Sequence, residues 1–490
     1  MKILGRVKEF KYKLIAITLI YLFFRLDSLG YDHTNNDSVR WFLRSEGFLQ
    51  ALKDRDFSDT YQKYHPGVTL MIVNSAIRQS FYSYQYTFTD YKVDLFDWDI
   101  FPLLNLFSKL GMVVVVLLTV FLQVNLIKSI WSEKSAIFYF LFIAVEPYFI
   151  GINRWFHLTS FEVVFGFTSV LYILYWLKNR TYRNLALSSV FLALAVLTKV
   201  TSVVIGPVIL LVLVKDFLKN RQFKPTIYYF IFYLTTIFVL FPSLWVEPIQ
   251  TSGKIIDSII HAVGEDPRVY LLSPFLNKFF YLVVLPFKLS PIILFLFAIA
   301  IYNIKKIKSF ELLILFLLIG IYLVSLSVSD QKIDRYSLVF FQPIILISSV
   351  YLTTTSKRFQ NIAVIFSLIF VVFISFIYNP QYSAYYNPLL GGTKSAIENG
   401  IYENGGTYFY DAASFLNQTD PQKKVFVPNN IEAFSMFYNG KTLRDPYDSR
   451  DYVVVSLDID RKEFDSLGCL NLIQKFGPID YKVVAIYSCK

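Results

Sequence analysis

Apolar runs long enough to cross a bilayer recur along the first three-quarters of the chain, and no other feature restricts its fold so much. About 20 helical residues cover the hydrocarbon core. Runs near 12–29, 103–127, 135–152, 158–177, 185–203, 204–218, 226–245, 279–301, 310–328, 337–355 and 360–378 predict about 11 transmembrane helices. Composition agrees: 55% of the 490 residues are hydrophobic and only 17% charged, against about 25% charged in soluble domains. Disorder is excluded, because this chain has ample apolar surface to bury. Two cysteines exclude a disulfide-dense scaffold and a multi-cysteine metal cluster. The first run has a short core, Leu14–Phe24, behind Lys2, Arg6, Lys8, Lys11 and Lys13. Phe24, Arg25, Leu26 and Asp27 offer no small-residue cleavage site, so the run reads as a retained anchor rather than a signal peptide.

Basic residues orient the spans. The N-terminal tail, Lys128/Lys134, Lys178/Arg180/Arg183, Lys215/Lys219/Arg221/Lys224, Lys305/Lys306/Lys308 and Lys357/Arg358 fall on alternate loops. Cytoplasmic loops collect Lys and Arg, so the N-terminus is expected to be cytoplasmic in a multi-pass protein of the cytoplasmic membrane. The net charge of +11 is then a matter of topology and contact with membrane lipids, and nucleic acid is not expected as a partner. The mainly α architecture divides into a transmembrane module, 1–378, with a first outer loop at 30–100, and a small extracytoplasmic α/β domain, 379–490. Strands are predicted at 425–427, 452–457 and 481–487, with a helix at 411–417. Cys469 and Cys489 both lie in this outer domain. A disulfide and a pair of buried thiols both fit the sequence.

Polar groups are costly in a membrane unless they line a cavity or its rim. His33, His65, His157 and His261 all fall on the predicted outer side. So do Asp37, Glu146, Arg154, Lys199, Glu265, Asp266, Arg268, Lys332, Asp334 and Arg335. Histidines avoid apolar spans in any case, but acids and bases converging on one face describe a site at the membrane–water boundary. In the first outer loop, Trp41, Phe42, Phe48, Leu49 and Leu52 recur at helical spacing opposite Arg44 and Lys53. That pattern predicts an amphipathic helix along the interface. Asp37 stands at its start, where a carboxylate serves either as an N-cap or as a base that deprotonates a hydroxyl. Asp32, farther from the helix, is the alternative acid. Lys63 and His65 precede the helix start at Pro66 and are placed to meet a phosphate. Lys332, Arg335 and Tyr336 lie at an outer helix mouth, and the planar fork of Arg suits phosphate oxygens. No Walker loop, GxSxG, HExxH or dinucleotide fingerprint occurs.

At these residues the chain resembles the GT-C superfamily of polytopic glycosyltransferases. The branch is that of the protein O-mannosyltransferases and the lipid A aminoarabinose transferase, bacterial glycosyltransferase family 39-like. The matches are Asp37, "YHPGVTLM" 64–71, "EPYFIGINRWFHLTSF" 146–161, "LTKVTS" 197–202, "KIDRYSLVFFQP" 332–343 and "YSAYYNPLLGG" 382–392. The resemblance implies transfer of a sugar from a polyprenyl-phosphate donor to a lipid, glycan or protein acceptor at the outer face, with inversion. Asp37 is then the catalytic base, and Arg335, Lys332, Lys199, Lys63 and His65 hold the donor phosphate. Tyr336, Arg154, His157 and Glu146 complete the site. Two departures stand out: Ser38 replaces the second acid of the usual Asp-Glu pair, and Thr159 stands where an Asp is common. No cofactor is expected, and a divalent metal held by paired carboxylates is disfavoured. A lipid-linked-sugar flippase is the alternative, although transporters place polar groups at the midplane of repeated, broken helices. The departures also allow a catalytically degenerate assembly protein.

Overall fold

Among the described residues, six helices are long and apolar enough to cross a membrane: Phe101–Ile130, Thr159–Asn179, Val200–Asn220, Phe310–Val328, Asp334–Leu352 and Lys357–Tyr378. Glu133–Val145 and Pro147–Asn153 are apolar enough only as a pair, bent by 68°, which fits a broken span or a re-entrant loop. Glu146 causes the bend. It takes an extended backbone, ψ 113, because the proline ring that follows disfavours the helical region for the residue before it. A second expected span, 279–301, is also broken at a proline, into Phe280–Lys288 and Pro291–Tyr302. The shorter apolar helices Tyr182–Thr198 and Lys224–Leu240, with Lys2–Leu26 at the start, complete the bundle. This computed structural model describes residues 2–88, 100–264, 277–307, 309–329, 332–456, 468–469 and 471–489, without the side chains of 2–8 and 258–264.

The helix surfaces show which side meets lipid. Lys357–Tyr378 buries Ala363, Val371 and Ile374 while exposing Ile365, Phe366, Ile369, Val372, Phe373 and Phe376. In water such a stripe would drive association, whereas hydrocarbon solvates it. Thr159–Asn179 and Asp334–Leu352 are instead buried on nearly all sides and form the centre. Gln123 ties that centre together, accepting from Tyr139 at 2.7 Å and Gln342 at 2.9 Å and donating to the Val164 carbonyl at 3.1 Å. The chain is a multi-pass membrane protein.

Beyond Tyr378 the pattern changes to short alternating runs, and among the described residues five strands form one sheet. They are β1 (Lys424–Phe426), β2 (Lys441–Leu443), β3 (Tyr452–Ser456), β4 (Asn471–Phe476) and β5 (Val484–Ser488), in the order β2-β1-β3-β5-β4. β1 pairs in parallel with β2 and β3, while β5 runs antiparallel between β3 and β4. Helix Phe409–Thr419 buries Phe409, Ala412, Ala413 and Leu416 in the same core as Val454 and Ile486. The third predicted strand starts three residues late, and β2 and β4 escaped the sequence reading. Cys469 and Cys489 form a disulfide, so the buried-thiol alternative falls.

Candidate active site

Helix Asn36–Asp54 positions the first acid. Its N-cap is Asn35, in extended backbone, whose side-chain oxygen accepts from the Ser38 N–H at 2.8 Å. Asp37 therefore does not cap the helix. It lies in the first turn, where its charge still favours the helix dipole. The apolar face of the helix also differs from expectation. Phe42 is fully buried, stacked on Phe156 with ring centroids 4.2 Å apart, and Trp41 and Phe48 are buried too. The helix is bolted to the bundle by protein contacts.

That anchoring holds Asp37 against residues far away in the chain. Arg335, opening the turn Asp334–Phe340, donates from Nη2 to Asp37 Oδ2 at 2.7 Å. The Arg335 Nε is buried with no hydrogen-bond partner among the described residues, so one edge of the guanidinium remains unused. Burial would raise the Asp37 carboxyl, but Arg335, with Arg40 and Arg44 behind it, outweighs this and holds it below its ordinary range. His157 Nε2 lies 3.8 Å from the same Asp37 oxygen. Burial, and then Arg335, push the His157 imidazole well below its usual value, so it is neutral at pH 7. Its Nδ1 accepts from the Thr159 N–H at 3.2 Å. The proton of the neutral ring thus sits on Nε2, facing Asp37. Trp155 fills the space beneath, with its ring 5.4 Å from the Arg335 guanidinium carbon and 5.8 Å from the His157 ring.

Thr159 leads from this pair into a cavity of about 210 Å³. Its lining is mostly apolar, with polar groups supplied by Tyr64, His65, Glu162, Lys199, Thr201 and Tyr336. Lys199, in extended backbone between Tyr182–Thr198 and the turn that follows, pairs with Glu162 at 3.2 Å and lies 3.9 Å above the Tyr336 ring. The Thr201 hydroxyl donates to the other Glu162 oxygen. The Nδ1 of His65 is buried with no hydrogen-bond partner among the described residues, and burial, then Lys199, push its imidazole well below the usual range. Lys63 points outward, its ammonium 5.3 Å from the Tyr64 ring.

The remaining candidates have other partners. Asp32 is fully buried between Lys109 at 2.6 Å and Arg154 at 3.1 Å. Burial raises its carboxyl, but the two cations bring it down to about 2. Arg154 also donates to the carbonyls of Phe24 at 3.0 Å and Asp27 at 2.6 Å, so this cluster ties the first helix to the bundle. Glu146 accepts from the Ser290 N–H at 2.7 Å and hydroxyl at 2.6 Å, closing the start of helix Pro291–Tyr302. Lys332 donates to the carbonyls of Leu326 and Ser327, both at 2.8 Å, closing the end of helix Phe310–Val328. Its ammonium serves backbone there. Glu265, Asp266, Arg268 and the side chain of His261 lie outside the described residues. Glu162 was not anticipated, although a carboxylate inside an apolar span is the signal that intramembrane chemistry leaves.

No protein-family model matches the chain, and no curated protein does. Solved structures do match. The crystal structure of ArnT from Cupriavidus metallidurans bound to undecaprenyl phosphate superposes with a TM-score of 0.53 at 13% identity, covering 96% of this chain and 97% of that one. The same protein in the apo state gives 0.53 at 12% identity, over 96% and 97%. The archaeal oligosaccharyltransferase AglB from Archaeoglobus fulgidus, in complex with an inhibitory peptide and a dolichol-phosphate, gives 0.47 at 10% identity, over 94% and 71%. Over 96% of its length the chain shares the fold of the ArnT structure.

Proposed function

We propose that the protein transfers a sugar from a polyprenyl-phosphate donor to an acceptor hydroxyl at the outer face of the cytoplasmic membrane. The observation that carries this reading is the Asp37–Arg335 pair, joined through His157 and Thr159 to a cavity that Lys199 lines. A guanidinium with an unused edge and an ammonium stand where one lipid-linked phosphate could meet both, with the carboxylate beside them to serve the acceptor. In the ligand-free protein Asp37 occupies Arg335. An arriving phosphodiester, whose two non-bridging oxygens match the guanidinium fork, takes over Arg335 in the bidentate manner that suits it, and more charge gathers there as the C1–O bond breaks. Asp37 is then free to accept the proton of the acceptor hydroxyl, whose oxygen attacks C1 of the sugar on the face opposite the phosphate. The C1–O bond breaks, its electron pair leaves on the phosphate, and the configuration inverts. Arg335 and Lys199 stabilise the charge that gathers on the departing polyprenyl phosphate. His157, through its Nε2–H, orients the Asp37 carboxylate between these two states.

The test uses purified protein and a panel of radiolabelled polyprenyl-phosphate sugars, with membrane extract as the acceptor source. Extract-dependent transfer from one donor is expected, with release of polyprenyl phosphate. Failure of every donor, where binding of each is demonstrated, would overturn the reading.

A further inference from the structure

We infer that the loop Glu403–Gly406 of the C-terminal region belongs to the catalytic machinery, holding Asp37 and Arg335 in register from the side that faces away from the bundle. This inference rests on the proposed transfer chemistry. Three independent contacts converge on that pair. Gly406 has φ +94, and a Cβ there would lie 2.4 Å from the Thr34 carbonyl oxygen and 2.9 Å from Asn35 Cβ. Asn35 is the cap of the helix that carries Asp37. A Cβ on Gly405 would lie 2.8 Å from the ring of Trp155, the indole beneath Arg335 and beside His157. The Glu403 carboxylate accepts from the Asp334 N–H at 3.4 Å, at the start of the turn that presents Arg335.

The other end of the loop is fastened to the sheet. Asn404 donates to the Ser456 hydroxyl at 2.8 Å and accepts from the Gly406 N–H at 3.0 Å. The Asn430 amide donates to the Asn404 carbonyl at 3.1 Å. Ser456 ends β3 and Asn430 follows β1, so the loop sits at the carboxyl ends of two adjacent parallel strands. A second tie runs through Tyr386, whose hydroxyl accepts from the Glu403 N–H at 3.2 Å and donates to the Asp334 carboxylate at 3.2 Å. Lys288 pairs with that same carboxylate at 2.8 Å. The sheet is thus clamped to both halves of an ion pair whose members lie 298 residues apart in the chain. Glu403 also brings a negative charge toward Arg335, so the loop adds field as well as shape.

Gly406→Ala is the first test, because its methyl group must displace the start of the Asp37 helix. A misplacement of about 1 Å costs on the order of 100-fold in rate, so kcat should fall by about that factor. Donor affinity, set by Lys199 and Arg335, should hold or tighten by up to about tenfold, because a displaced Asp37 competes less for Arg335. The pH profile separates positioning from a simple loss of folded protein. Asp37 is faced by Arg335, His157, Arg40 and Arg44, and loosening Arg335 lets its carboxyl rise. The acid limb of kcat/KM should therefore move to higher pH. Glu403→Gln keeps the shape and removes only the charge, and should slow kcat about threefold to tenfold in a protein that folds normally. Hydrogen exchange over residues 34–41 supplies a readout independent of turnover, with faster exchange expected in Gly406→Ala. An unmoved acid limb with unchanged exchange in both variants would overturn the inference. Should wild type itself transfer nothing, the proposed reaction fails while the exchange measurement still decides whether the loop holds the pair.

Discussion

Asp37→Asn tests the site most directly, because the ion pair makes it affect three quantities differently. Turnover should fall by about 100- to 10,000-fold, the range for loss of a general base. Donor binding should become tighter. In wild type the phosphate must displace Asp37 from Arg335, an ion-paired hydrogen bond of 2.7 Å to a guanidinium only 10% exposed. Such charged hydrogen bonds contribute about 1.5–3 kcal/mol net, and each 1.4 kcal/mol is a factor of ten. Asn remains a weak acceptor, so the lower end applies and donor Kd should fall about tenfold. Stability should drop by about 1–2 kcal/mol, below the 3–5 typical of a broken buried pair, because the Asp37 side chain is 34% exposed. The assays are radiolabelled transfer, donor binding by titration calorimetry in detergent, and thermal unfolding. Near-normal turnover would refute Asp37 as the base. Lost turnover with unchanged donor affinity would refute the exchange of Arg335 between carboxylate and phosphate. Asp32→Asn is the contrast. It strips the acid from buried Lys109 and Arg154, so it should lower the yield of folded protein without tightening donor binding.

Lys199→Met leaves Glu162 as a buried, unpaired carboxylate, and should cost about 3–5 kcal/mol of stability and at least tenfold in donor affinity. Adding Glu162→Gln should recover most of the stability and none of the affinity, and recovery of both by the double variant would remove Lys199 from the phosphate site. Asp411 titrates in the opposite sense to Asp37: burial, and then Asp32, raise its carboxyl to about 6. A raised folded-state value stabilises below the unfolded value near 4 and loses that contribution as pH climbs through about 6. Asp411→Asn should therefore raise the unfolding temperature at pH 7.5 and leave it unchanged at pH 4, and an equal effect at both would refute the burial argument. Cys469→Ser opens a loop closed across 20 residues and should destabilise the C-terminal sheet by about 3 kcal/mol, read as loss of protease resistance in that region alone.

What the sequence revealed and what it concealed follow one physical division. Spans and orientation are written locally, in runs of apolar residues and in the side on which Lys and Arg collect. Breaks within spans are local too, and Pro147 and Pro291 mark both broken ones, yet hydropathy averaged along a run passes over them. Partnership is not local. Arg335 and Lys332 are cations three residues apart in one motif, and nothing nearby says that one meets Asp37 while the other caps a helix end. Asp32 and Asp37 look equally available in the first outer loop, but burial between two cations fixes Asp32 in the architecture. The missing acids at Ser38 and Thr159 show the same division most clearly. Residues i and i+3 share one helix face, so Glu162 is oriented as an acid at 159 would be, one turn farther into the span, and both residues line the cavity. Glu403 approaches Arg335 from a loop 68 residues later in the chain, a proximity that only the docked sheet creates. A motif scan at fixed positions therefore finds this site one carboxylate strong, whereas the folded chain gathers Asp37, Glu162 and Glu403 around Arg335 and Lys199.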